Sequence, residues 1–285
     1  MDDKIIFNMH IMWYESKMIV ETLDSIKNAL QHSTVPVEFY FCLNSQTYLE
    51  KPETGRSEEM FTEFLKHPII QRSNIIHKTD RDSFYNIGDW RREQYDVDAK
   101  YTVWGESDCI LPEDFFYILS TISIPETHIL TFASRKMWDT TWDIVEHIDL
   151  QKYTRSLDQI YQAPTPLNSC DVISEEEINN YNSKFAIEII KLNTVKIDGS
   201  LLCISKGVKQ QLIPTDMHFV REDFCAEQVL KAIGVPQYHV ATRIKGHNYS
   251  HPAKRTNTKN TRNDSVFKEY AEQSQNAMNQ FLYSL

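Results

Sequence analysis

The sequence predicts an α/β fold built on a mostly parallel sheet, and three observations carry that reading. Short apolar runs alternate with segments of helical periodicity through about residue 135. Several runs are apolar throughout, as strands buried on both faces of a parallel sheet are. Polar residues then collect just past the carboxyl ends of those runs, where open α/β sheets take their ligands.

The elements follow in order. KIIFNMHIM is a first strand, with His10 at its carboxyl end, and ESKMIVETLDSIKNALQH spaces Met18, Ile19, Leu23, Ile26 and Leu30 as one helical face. VEFYFCLNS is a second strand ending in the polar pair Asn44-Ser45. SEEMFTEFLKHP reads as a helix, SNIIHKT as a third strand and NIGDWRREQYDVDA as a further helix, on which Arg91 and Arg92 suit an exposed face. KYTVWGESDCILPEDFFYIL holds a fourth strand, two acids (Glu106 and Asp108) and a helix with Pro112 at its first position and Glu113 and Asp114 in its first turn. THILTFASR is the next strand. Alternation of this kind argues for a Rossmann-like sheet flanked by helices.

Beyond residue 135 the pattern loosens. RKMWDTTWDIVEH pairs Trp138 with Trp142 and Asp139 with Asp143 at helical spacing, which suits either a sugar-facing wall or core tryptophans. Residues 150–195 read as a variable insertion, partly helical. HFVREDFCAEQVLKAIG opens a helix on Glu222-Asp223, with Phe224, Val229, Leu230 and Ile233 as its apolar residues. From Val240 to Asn263 there is no acid, while Arg243, Lys245, Lys254, Arg255, Lys259 and Arg262 supply six cations. With His247 and His251 among them, this stretch suits an anion-binding loop, a solvated linker or a nucleic-acid-binding strip. SVFKEYAEQSQNAMNQFLYSL ends the chain as a helix. The reading is therefore one domain over 1–285: a nucleotide-binding half (1–135), an acceptor-side half (136–242), a basic loop (243–263) and a C-terminal helix (264–285).

Composition narrows the function. Thirty basic residues against forty acidic ones argue against a broad nucleic-acid-binding face. Five cysteines, odd in number and never in a C-x-x-C pair, read as reduced thiols. The segment MDDKIIFNMH lacks a signal-peptide core, and no stretch reaches the roughly 20 apolar residues of a membrane span. The expected location is cytoplasmic, where the Asn248-Tyr249-Ser250 and Asn263-Asp264-Ser265 matches to a glycosylation acceptor carry no meaning.

Glu106 and Asp108 are the sharpest feature. A turn of solvated acids is the common explanation of such a pair, yet an apolar strand aims this one at the ligand edge. There Asp108 is expected to face solvent. Carboxylate oxygens suit Mg²⁺ or Mn²⁺, which bind one or two protein carboxylates and complete their shell with phosphates and water.

Three segments together, NMHIMWYESKMIVETLDSI, VEFYFCLNSQT and KYTVWGESDCILPEDFFYIL, resemble the nucleotide-sugar glycosyltransferases of the A-type fold, near the large family-2-like group. The likeness spans roughly the first 135 residues by element order and returns near the C-terminus. It departs in placing Glu106 where the family usually has Asp, and Asn44 where an Asp often contacts uracil.

The resemblance implies a metal-dependent transfer of a sugar from a nucleotide-sugar donor, a UDP-sugar first among them, to an acceptor hydroxyl. Asp108, with Glu106 and either His247 or His251, would hold Mn²⁺ or Mg²⁺. His10, Asn44, Arg91, Glu106, Lys245, His251, Lys254 and Arg255 would contact the donor. Asp223 would take the acceptor proton, with Glu222 as its rival, and Trp138, Asp139 and Trp142 would face the acceptor. A saccharide, a protein, a lipid-linked sugar or a modified DNA base all fit as acceptor. Two other classes stand beside this one: a non-catalytic sugar- or nucleic-acid-binding module, and a nucleotidyltransferase. The second would want a Gly-rich loop after strand one, where this chain reads His10-Ile11-Met12-Trp13-Tyr14-Glu15.

Overall fold

A computed structural model of the chain describes residues 3–11, 16–43, 62, 64–77, 87–136, 175–197, 199–247 and 265–285. Its elements are β1 (Ile5–His10), α1 (Ser16–Leu30), β2 (Val37–Leu43), α2 (Pro68–Gln71), β3 (Asn74–His77), α3 (Ile87–Glu93), β4 (Tyr101–Glu106) and β5 (Cys109–Ile110). Then come α4 (Phe115–Thr121), β6 (Ile129–Lys136), α5 (Glu175–Asn182), β7 (Ile189–Lys191), β8 (Leu201–Ser205), α6 (Glu222–Ala232), β9 (Gln237–His247) and α7 (Ser265–Tyr283).

The described strands form one sheet in the order β3-β2-β1-β4-β8-β6-β9-β5, with β7 also on β9. β3, β2, β1 and β4 run parallel, and so do β6 and β9. β8 lies antiparallel between β4 and β6. The α/β, mostly parallel architecture expected from the sequence is the one found. Helices cover both faces, and the alternation of side chains along each strand divides the core in two. Tyr101 and Val103 of β4 and Leu201 and Cys203 of β8 join the cluster packed by Ile19, Leu23 and Ile26 of α1 and Phe115, Phe116 and Leu119 of α4. Trp104, Leu202 and Ile204 turn the other way, against Cys225, Ala226, Val229 and Leu230 of α6 and Ala277 and Met278 of α7. Burial on both faces is why β1 reads as an unbroken buried run.

Several local expectations change. The helix expected at Pro112 begins at Phe115, because Asp114 spends its carboxylate on Arg243 Nε (2.5 Å) and makes no side-chain cap bond. On α6 the buried residues are Glu222, Cys225, Ala226, Val229 and Leu230, whereas Phe224 and Ile233 are exposed. The stretch expected as loop from residue 243 starts as strand, since Arg243–His247 complete β9. Cys42, Cys109, Cys203 and Cys225 are free and buried, and burial pushes the Cys225 thiol up to about 12. No described helix is long and apolar enough to cross a membrane.

Candidate functional site

The parallel register brings β1 and β4 to a common edge, with His10 opposite Glu106. Paired residues of neighbouring strands share a face, so both lie on the side covered by α3 and α6. His10 is buried there. Beyond Glu106 the chain turns through Ser107 and Asp108, and the turn is pinned from two sides. Thr22 of α1 donates its hydroxyl to Ser107 O at 2.8 Å, and the Glu106 amide donates to Ser200 O at 3.0 Å. Asp108, expected to face solvent, is instead fully buried, because β5 starts at the next residue and pairs with the end of β9.

Arg91 organises the site. It lies 3% exposed, contrary to the solvent-facing position expected for it. Its Nη1 donates to Glu222 Oε1 at 3.1 Å and its Nη2 to Gly199 O at 2.9 Å. Glu106 Oε1 stands 3.9 Å from Nη2, and the guanidinium carbon lies 5.5 Å from the centre of the Trp104 ring. One cation thus faces two carboxylates in a place with little water. Burial, then the neighbouring Asp223 charge, push the Glu222 carboxyl up to about 7, against the downward pull of Arg91.

That shift fixes a pH dependence. A carboxyl raised above its unfolded value of about 4.3 holds its proton more tightly in the folded state. The stability it contributes is complete below that value and is lost as pH rises through about 7. Glu222→Gln, which stays neutral, should therefore show a smaller fall in Tm between about pH 5 and about pH 8 than the unaltered protein. Equal slopes would contradict the shift.

The sequence signals Glu222-Asp223 as a helix start, and α6 does begin there. The approach to it is strained, with Val220 (φ 69) and Arg221 (φ 65) both left-handed. For a β-branched valine that conformation is a true outlier, of order 1–3 kcal/mol. Residues of α3 and α7 hold the strained connection. Arg92 Nη1 donates to Pro214 O (2.7 Å) and Met217 O (2.6 Å), and the Gly88 amide donates to His218 O (2.7 Å). His218 Nδ1 lies 2.8 Å from Asp89 Oδ1, and the Ser274 hydroxyl donates to Phe219 O.

Asp223 is half-buried, and its Oδ1 accepts the Phe224 amide at 2.7 Å. Its carboxylate lies directly against Gly199, where an added Cβ would stand 2.4 Å from Oδ2. Gly199→Ala should therefore rotate the Asp223 carboxylate away while the exposed turn keeps its path. The expected result is a fall in turnover of about tenfold or more with little change in Tm, since a 1 Å misplacement in a reacting geometry is enough for such a loss. Unchanged turnover would show that the position of Asp223 does not matter.

The Gly199-Ser200 turn, which sequence reading passed over, is the meeting point. It accepts Arg91 and the Glu106 amide, abuts Asp223, and through Ser200 Oγ accepts the ammonium of the fully buried Lys245. Lys245 therefore reaches this turn from strand β9 and not from a loop. The signal was there in Gly199-Ser200 ahead of the apolar run LLCIS, a turn pair feeding a buried strand. Of the residues expected at the site, His10, Arg91, Glu106, Asp108, Glu222, Asp223 and Lys245 are described. Asn44, Trp138, Asp139, Trp142, His251, Lys254 and Arg255 lie outside the described residues, as does the side chain of His247.

Glu106 and Asp108 have the hard oxygen donors that Mg²⁺ or Mn²⁺ takes. Among the described residues there is no group of three or more His, Cys, Asp or Glu that could hold a metal. The donor chemistry fits an ion that draws the rest of its shell from phosphate and water, and Glu106, with a quarter of its side chain exposed, offers the open contact.

No protein-family model matches the chain, and no curated protein does. Among solved structures it is similar to the inositol-1-phosphate CTP transferase from T. maritima, with 9% identity, a TM-score of 0.41 and 96% of each chain covered. It is also similar to the glycosyltransferase GlyE of Streptococcus pneumoniae TIGR4 in two structures. The apo form matches at 10% identity and a TM-score of 0.25, over 47% of this chain and 30% of that one. The second matches at 10% identity and a TM-score of 0.26, over 48% and 31%. The chain thus spans about a third of the GlyE length.

Proposed function

We propose that the protein is a glycosyltransferase that moves a sugar from a nucleotide-sugar donor, with a UDP-sugar the first to test, to an acceptor hydroxyl. One observation carries the reading. At the carboxyl end of the central strand β4, a buried arginine binds Glu222 and stands near Glu106, beside the half-buried Asp223 at the start of α6. Acids gathered at a sheet's ligand edge, one of them with its pKa driven toward neutrality, are what proton transfer from a hydroxyl requires.

In this reading Asp223 is the base. Its carboxylate is the more exposed of the two at the helix start, and the first-turn amides stabilise its charge. Glu222, locked to Arg91, acts by positioning. Glu106 and Asp108 would hold Mg²⁺ or Mn²⁺, which when bound supplies Lewis-acid neutralisation of the leaving diphosphate. Lys245 and Arg91 set the positive field of the turn on which these acids converge. The first half of the chain, through residue 135, would take the nucleotide, and residues 136–242 the acceptor side.

The test is incubation of the protein with a panel of nucleotide sugars and Mn²⁺, with slow donor hydrolysis followed by chromatography. Release of a nucleoside diphosphate from one donor class supports the reading. Inertness toward every donor, or release of pyrophosphate from a nucleoside triphosphate and a sugar phosphate, overturns it.

A further inference from the structure

A second polar cavity, of about 320 Å³, lies apart from the Arg91 cluster, between the end of α1, the start of α4, and α5 with β9. His32, Asp114, Tyr117, Asn182, Ser183 and Arg243 are among its lining residues. Its wall depends on a break in the sheet. Val240 and Ile244 of β9 pair with the consecutive residues Phe132 and Ala133 of β6, so Ala241, Thr242 and Arg243 bulge out of register. Such bulges re-aim side chains. The segment before β7 holds this one in place: Ala241 N donates to Glu188 O (2.9 Å) and the Thr242 hydroxyl to Ala186 O (2.7 Å).

The bulge sends Arg243, itself buried, to Asp114 Oδ2 and to Phe185 O at 2.9 Å. Asp114 Oδ1 is buried and accepts no hydrogen bond among the described residues. A carboxylate oxygen in that state is costly, by about 1–3 kcal/mol or more. The amide of Asn182 is already used on both sides by Ile244 (3.1 and 2.9 Å), which makes it a rigid wall. One turn along α4 from Asp114, Tyr117 is 43% exposed.

We propose that this cavity is a second ligand site and that it takes one unit of a neutral saccharide. A ring hydroxyl donates to Asp114 Oδ1, and the C–H face of the sugar rests on Tyr117. Arg243 already balances the Asp114 charge, which favours a neutral hydroxyl over a cation, and the neighbouring Glu113 carboxylate disfavours a phosphate. The volume is at the low end for small-molecule sites, which suits one or two sugar rings. The inference does not depend on the transfer reaction.

Saturation-transfer NMR on the full chain, without nucleotide, tests it with maltose, cellobiose, lactose and diacetylchitobiose as probes. At least one should bind. Tyr117→Ala should weaken that binding about tenfold, the worth of an aromatic face, while Tyr117→Phe keeps it. Because Tyr117 is exposed, both variants should fold. The proposal fails if none of the four sugars binds, if Tyr117→Ala binds as well as the unaltered protein, or if spermidine binds there and the sugars do not.

Discussion

Asp223→Asn is expected to lower turnover by about 10²- to 10⁴-fold, the range for losing a general base, while donor affinity stays near that of the unaltered protein. The amide keeps the shape of the carboxylate and can still accept the Phe224 amide proton through its oxygen, so the start of α6 should hold. What it loses is the capacity to take a proton. The comparison with Glu222→Gln decides between the two acids. Glu222 is the more buried and is engaged by Arg91, so its replacement should show first in stability and in the shape of the pH profile. Single-turnover rates with saturating donor separate the cases. If Glu222→Gln is crippled and Asp223→Asn turns over normally, the base is Glu222.

Arg91→Met should destabilise the fold by about 3–5 kcal/mol, the cost of removing one partner from a buried ion pair. The change leaves Glu222 buried beside Asp223 and Glu106 without its cation, and it also removes the hydrogen bond to Gly199 O and the contact with Trp104. Since burial already favours the protonated form of Glu222, the cost should be greater above pH 7 than below it. The double variant Arg91→Met/Glu222→Gln should recover part of the loss, because no uncompensated charge then remains in place. Denaturant unfolding of the two single variants and the double variant at pH 8 measures this. If the losses simply add, the two residues are not a coupled pair.

What the sequence revealed and what it hid follow from the range of the interactions. β1, β2 and β4 were legible because both faces of the sheet are covered and their residues are apolar in unbroken runs. The start of α6 was legible because acids favour the first turn of a helix. The antiparallel insertion of β8 between β4 and β6 was not, since no local pattern encodes which strand a strand pairs with. Non-local partners account for the other misses. Pro112-Glu113-Asp114 has every mark of a helix start, but Arg243, 129 residues away, takes the Asp114 carboxylate. Arg91 beside Arg92 looks like a solvated face until Glu222, 131 residues on, draws it inward. Asp108 looks exposed until β9 returns to pair with the segment after it. Local grammar gave the site its edge of the sheet, and long-range pairing gave it its chemistry.

The central claim is that the acids at the end of β4 form a metal-dependent site for a nucleotide diphosphate. Isothermal titration of UDP into the protein, with and without Mn²⁺, tests it most directly when repeated on Glu106→Gln and Asp108→Asn. The account predicts that UDP binds the unaltered protein tightly only with Mn²⁺ and that each variant loses this metal dependence. Binding that is indifferent to Mn²⁺, or equally metal-dependent in all three proteins, would contradict it.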